Sequence, residues 1–106
     1  MWPVILLPPV KEFIKGLEVN VQPKATKALN LLKEYGPLLR QPHSKKITGY
    51  KGLFELRASG SPSIRLFYTI KQSRFYILSG FIKKTNKTPA NEISLALKQI
   101  SQLTII

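Results

Sequence analysis

Three runs of strand-forming residues, 53–57, 64–71 and 75–83, follow one another with only Ser59-Gly60-Ser61-Pro62 and Gln72-Ser73 as polar turns between them. Connections that short cannot carry a crossover, so the runs must pair as antiparallel neighbours. This commits the C-terminal half to a sheet meander, which the rest of the chain has to cover. If residues 58–64 form the loop of a hairpin, Arg57 falls opposite Arg65, and opposite residues share a face. Two guanidiniums then converge, an arrangement that costs roughly 0.2–1 kcal/mol unless something compensates. Period-two alternation puts Glu55 on the face of Arg57. The plainer reading of Glu55 and Arg57 is a surface ion pair worth about 0–1 kcal/mol.

Before the meander, residues 4–7 are a β-rich run stopped by Pro8 and Pro9. A short helix is expected over 10–17, with Val10, Phe13, Ile14 and Leu17 on one face and Gly16 weakening its end. A stronger helix runs over about 21–35, where Ala25, Ala28, Leu29, Leu32 and Tyr35 recur at intervals of three and four. Pro23 belongs in its first turn and Gly36-Pro37 closes it. Residues 37–51 read as a loop, with Lys45 and Lys46 on an edge or connection. After the meander comes a last helix, with Thr88 as cap, Pro89 in the first position and Glu92 near the positive dipole end. Ile93, Ala96, Leu97, Ile100 and Leu103 form its apolar stripe. The expected order is β-α-α-β-β-β-α, an α+β fold in one domain spanning 1–106, without repeats or low-complexity tracts.

At 106 residues the chain can build one core, and 43% hydrophobic with 21% charged residues is ordinary for a globular protein. Its charge balance is not ordinary. Seventeen Lys and Arg against five acids give +12 and a pI near 10.3, a field that favours polyanions such as nucleic acid or an acidic protein. Solubility alone is a weaker explanation, because mixed-sign surfaces are the usual solution. Without cysteine there is no disulfide, thiolate nucleophile or Cys-based zinc site, which fits a reducing cytoplasm. The opening MWPVILLPPV lacks a basic leader and carries three prolines, so it reads as a first strand rather than a signal peptide. No stretch approaches the roughly 18 apolar residues that span a membrane.

Four basic residues stand out as chemistry-bearing: Arg57, Arg65, Lys83 and Lys84. The two lysines follow Gly80, whose missing side chain would let a ligand approach the backbone closely. Alternation sends Lys83 and Lys84 to opposite faces, and only one need face a site. The competing reading is a solvated pair guarding a strand edge. Lys45, Lys46 and Lys87 suit phosphate positioning. His43 is the lone histidine, a catalytic candidate or an exposed bystander. Tyr68, with Tyr76, Phe67 and Phe81, can stack a base or fill the core. Paired carboxylates, a metal-ligating cluster, a Ser-His-Asp set and a phosphate-cradling glycine loop are missing, so neither metal nor cofactor is expected.

Through Gly52-Leu53-Phe54-Glu55-Leu56-Arg57, the strand from Arg65 to Tyr68, and the ending from Gly80 to Pro89, the chain resembles the HigB-like, phage-associated branch of the RelE/ParE toxin superfamily. The resemblance covers about residues 4–103 in element order. It implies a small RelE-like fold, with two N-terminal helices and a C-terminal helix packed on a curved antiparallel sheet of about four strands. It also implies the toxin of a type II toxin–antitoxin pair, partnered by a helix-turn-helix type antitoxin and acting as an endoribonuclease on mRNA in the ribosome. The implied reaction is metal-independent attack by a ribose 2′-hydroxyl, leaving 2′,3′-cyclic phosphate and 5′-hydroxyl ends. Arg65 and Arg57 match the family's basic strand positions, and Lys83 or Lys84 the basic position after the last strand. The stretch Thr85 to Thr88 has neither the tyrosine nor the acid of ribosome-dependent relatives, so His43, Lys45 and Lys46 are the substitutes for the general base. Other members of the superfamily are ParE-like toxins that bind DNA gyrase, and a non-catalytic nucleic-acid-binding module is a third reading.

Overall fold

The structure, a computed structural model, describes residues 1–103. In chain order its elements are β1 (Val4–Leu6), α1 (Pro8–Lys15), α2 (Gln22–Tyr35), a 3₁₀ turn (Gly36–Leu38), β2 (Ser44–Lys46), β3 (Phe54–Ala58), β4 (Ser63–Lys71), β5 (Arg74–Lys83) and α3 (Ala90–Leu103). The five strands form one sheet in the order β1-β5-β4-β3-β2. β3, β4 and β5 make the expected antiparallel meander, and Gln72 and Ser73 turn the second hairpin with φ of 53° and 62°. β1 is parallel to β5, with Val4 beside Phe75 and Leu6 beside Ile77.

The sheet therefore has one strand more than expected. Ser44–Lys46, read from sequence as part of a loop, pairs antiparallel with β3. Three residues ending in Lys-Lys carry no alternating apolar signal of their own; the open edge of β3 supplies the pairing. The prolines also act differently. Pro8 and Pro9 open α1 rather than closing β1 into a turn, because a missing N–H costs nothing in the first helical turn. At the other end α3 begins at Ala90, and the Pro89 carbonyl accepts from the amides of Glu92 and Ile93 at 3.1 and 3.3 Å. Thr88, expected to cap this helix, turns its hydroxyl to the sheet instead.

Helices cover both faces. α1 and α2 bury Val10, Ala25, Ala28, Leu29 and Leu32 against Leu56, Ile64, Leu66, Tyr68, Phe75 and Ile77. α3 lays Ala96 and the half-buried Ile93, Leu97 and Ile100 on Leu53, Phe67, Leu78 and Phe81 of the other face. Burying a side chain the size of Phe67 or Phe75 contributes about 1.5–3 kcal/mol, so each face holds its helices firmly. Gly36, which closes α2 at φ 53°, also makes room for the indole of Trp2. Among the described residues, no helix is long and apolar enough to cross a membrane.

The register of β4 and β5 slips once. Phe67 pairs with Ser79 but Tyr68 with Ile77, which leaves Leu78 as the extra residue of a β-bulge. Phe75 and Ile77 face α1 and α2, yet beyond the bulge Phe81 faces α3. The strand has changed phase.

Gly80 serves packing rather than a ligand. A Cβ built there would lie 2.5 Å from the Phe13 ring and 2.7 Å from Leu66, so the space that sequence reasoning assigned to an approaching ligand is filled by α1. Gly80→Ala is expected to lower stability by about 1–3 kcal/mol, the usual cost of overpacking, seen as a lower urea midpoint with unchanged slope.

Candidate functional site

Arg57 lies directly across from Arg65 in the β3–β4 pairing, as the hairpin argument requires. Glu55 holds them together. Its Oε1 accepts a hydrogen bond from Arg57 Nε at 2.9 Å and lies 3.6 Å from Arg65 Nε, while its Oε2 accepts from the Thr88 hydroxyl at 3.3 Å. The carboxylate is only 1% exposed, so this is no surface pair. A buried carboxylate persists only when charge and hydrogen bonds replace its water, and here two guanidiniums and a hydroxyl do so.

The guanidiniums keep donors to spare. Arg65 Nη1 donates to the Ile64 carbonyl at 3.1 Å and its Nε is buried against Glu55, but among the described residues its Nη2 has no hydrogen-bond partner. Arg57 commits its Nε alone. Its side chain is 22% exposed, which leaves its outer nitrogens able to grip a phosphate in the paired geometry guanidinium favours. Burial draws the Arg65 pKa below its ordinary value; Glu55 opposes that shift and Arg57 adds to it. Arginine remains charged at neutral pH all the same.

The bulge decides between the lysines. Continued alternation from Phe75 and Ile77 would send Lys83 to the α1–α2 side, but the added residue shifts it to the face of Phe81 and Arg65. Lys83 pairs with Ser63 and is thus the diagonal neighbour of Arg65. Lys84 lies past the end of β5, exposed in the connection that also carries the exposed Lys87.

β2 completes the face. The Arg57 amide donates to the His43 carbonyl at 2.8 Å, and Lys45 sits opposite Glu55. Lys45 therefore shares the arginine face, whereas Lys46, opposite Phe54, belongs to the other, and His43 lies in the turn just before β2. Arg57, Arg65, Lys83 and Lys45 are brought together on one face, and His43 adjoins Arg57 through its backbone carbonyl; Lys46 is on the other face.

Tyr68, a sequence candidate for RNA contact, is a core residue. It is 3% exposed, stacks on Phe54 at 5.2 Å and shares a short hydrogen bond with the Ser44 hydroxyl, so no ring face is open to a base. Burial raises its pKa above the ordinary 10.0, with the Ser44 bond pulling the other way. Two contributors escaped sequence reasoning. Thr88 looked like a cap, and only the fold brings it to Glu55. Lys24 of α2 donates to the Pro62 carbonyl at 2.9 Å and so pins the loop between the two arginine strands, with no local signal to betray it.

Residues 12–101 match the family described as phage derived protein Gp49-like. No curated protein matches the sequence. Among solved structures, the chain is similar to a free E. coli RelE toxin carrying two arginine-to-alanine changes, at 17% identity and TM-score 0.70 over 93% of this chain and 97% of that one. It is similar to the intact E. coli RelBE toxin–antitoxin complex at 14% identity and TM-score 0.64, covering 80% and 100%. It is also similar to the archaeal RelE–RelB complex from Pyrococcus horikoshii at 19% identity and TM-score 0.61, covering 76% and 93%. At these identities the likeness is one of fold.

Removing the Glu55 charge leaves two guanidiniums facing each other. Glu55→Gln is expected to cost about 2 kcal/mol in urea denaturation at neutral pH, less than the roughly 3–5 kcal/mol of a fully buried pair because Arg57 reaches solvent. Tyr68 holds its proton more tightly folded than unfolded, so its contribution to stability is present below about pH 10 and is lost as pH rises through the folded value. A phenolate absorbance titration should show one of the four tyrosines ionising late, and Tyr68→Phe should remove that component.

Proposed function

Given that the chain belongs to the phage-derived Gp49-like family and folds as RelE does, we propose that it is the toxin of a type II toxin–antitoxin pair, of the HigB-like branch, and cleaves mRNA on cytoplasmic ribosomes. One observation carries the reading: Arg57, Arg65 and Lys83 share one face of the sheet, with outer guanidinium nitrogens uncommitted. A net charge of +12 draws an RNA backbone to such a face.

In the proposed reaction a ribose 2′-oxygen forms a bond to the adjacent phosphorus and the bond from phosphorus to the 5′-oxygen breaks. The products are a 2′,3′-cyclic phosphate and a 5′-hydroxyl. The nucleophile comes from the substrate itself, so the protein has to align it, neutralise the phosphorane and move two protons. Arg65, fixed by Glu55 and the Ile64 carbonyl, stabilises the charge developing on the phosphoryl oxygens. Arg57 grips the same phosphate. Lys83 hands a proton to the departing 5′-oxygen, while His43, in the turn before β2, or a deprotonated Lys45 on β2 accepts the one released by the 2′-hydroxyl. Lys84 and Lys87, exposed beyond β5, position the strand through its phosphates.

The cognate antitoxin, in this reading a helix-turn-helix type protein, silences the toxin by laying an acidic or amphipathic segment over the cationic face. Mapping mRNA ends after addition of the purified protein to translating ribosomes tests the proposal. Arg65→Ala is expected to cut about 10²–10³-fold more slowly, the usual loss for one preorganised charge-stabilising donor. Wild-type-like cutting by both Arg65→Ala and Lys83→Ala would overturn the assignments. Gyrase inhibition without cleavage would point to a ParE-like toxin.

A further inference from the structure

A cleft of about 360 Å³ opens between α2 and the end of β3, beside the cationic face. Its size falls within the roughly 300–1,000 Å³ of small-ligand sites. Lys24, Lys27, Leu31, Pro42, His43 and Arg57 line it, with Ala28 and Ala58 at its apolar floor. No acid is among the lining residues. The larger hollow along the outer side of α2 lacks that selectivity, since Glu34 lines it.

The cleft is two-sided in its chemistry. Alanine, leucine and proline surfaces suit a flat ring, and Pro42 and His43 offer rings of their own against which a base can lie. Lys27, exposed on α2, and Arg57 supply positive charge at the rim. Lys24 is already committed to the Pro62 carbonyl and so braces the wall. An apolar slot with cations at its mouth fits one nucleotide, base inward and phosphate at the rim. Arg57 belongs to the cleft and to the arginine pair alike, its Nε held by Glu55. A nucleotide seated here would therefore lie next to a phosphate held between Arg57 and Arg65.

We propose that this cleft is a nucleotide subsite, which takes the base and phosphate of one RNA residue flanking the cleaved linkage and so biases the sequence at which the chain cuts. The bias rests on the reading of the chain as an RNA-cutting toxin; the nucleotide site does not.

The test is a two-dimensional amide NMR titration of the intact chain with 5′-AMP, 5′-UMP and inorganic phosphate. The amides of Lys27, His43 and Ser59 are expected to shift saturably with a nucleotide, and at least about fivefold more weakly with phosphate. Lys27→Glu should abolish the shifts at His43 and Ser59, and Lys27→Gln should weaken them, with thermal melts confirming that both variants fold. No saturable shift at these amides would overturn the site, as would equal affinity for phosphate and nucleotide. Tighter saturation of the same amides by a glutamate-rich peptide would assign the cleft to a protein ligand and equally overturn it. In the translating-ribosome assay, the cuts that remain with Lys27→Gln should fall at a different distribution of flanking bases. An unchanged distribution would overturn the bias. Absence of cutting by the wild type would remove the nuclease reading and leave the nucleotide titration standing.

Discussion

A buried carboxylate holds this site together. Glu55 is buried where it can survive only by attracting positive charge, and the two residues that answer it are directly opposed arginines that would otherwise repel each other. The arrangement is mutually dependent: the arginines neutralise the acid, and the acid lets the arginines stand together. Thr88 extends the same constraint to the approach of α3, so the helix covering one face of the sheet is anchored at the carboxylate that organises its polar end.

The second constraint is geometric. A sheet covered by helices on both faces needs apolar residues on both, and β5 meets this by alternating until the bulge at Leu78. The extra residue buries Leu78 under α3 and moves every later side chain to the other face. Phe81 thereby joins the α3 core, Gly80 lies against Phe13, and Lys83 arrives beside Arg65. The bulge that packs Leu78 under α3 thus also decides which lysine accompanies the arginines.

These two devices explain how a small, strongly basic chain concentrates function. Most of its seventeen basic residues are solvated, and a field of that kind attracts a polyanion anywhere on the surface. The shared face of β2 to β5 differs because its guanidiniums are fixed at one edge and have donors left at the other. Fixed donors are what stabilise a developing charge without reorganisation. The neighbouring cleft adds shape to that charge.

Much of the fold was legible in the chain. The meander, both arginine positions, the apolar faces of α1, α2 and α3 apart from the exposed Tyr35, and the closure of α2 at Gly36-Pro37 follow from turn residues and periodicity, which act over a few residues and need no distant partner. β2 was not legible, because Ser-Lys-Lys becomes a strand only against a free edge. Nor was the parallel placement of β1, the role of Gly80, or the burial of Tyr68 under its Ser44 bond. Turn length and alternation were enough to set Arg57 and Arg65 opposite each other across a hairpin beside Glu55. Packing of distant elements is what buries Glu55, brings Lys83 rather than Lys84 to the pair, and lets Thr88 and Lys24 steady it. Burial and strand phase depend on what packs from across the sheet, and no local pattern of residues carries that information.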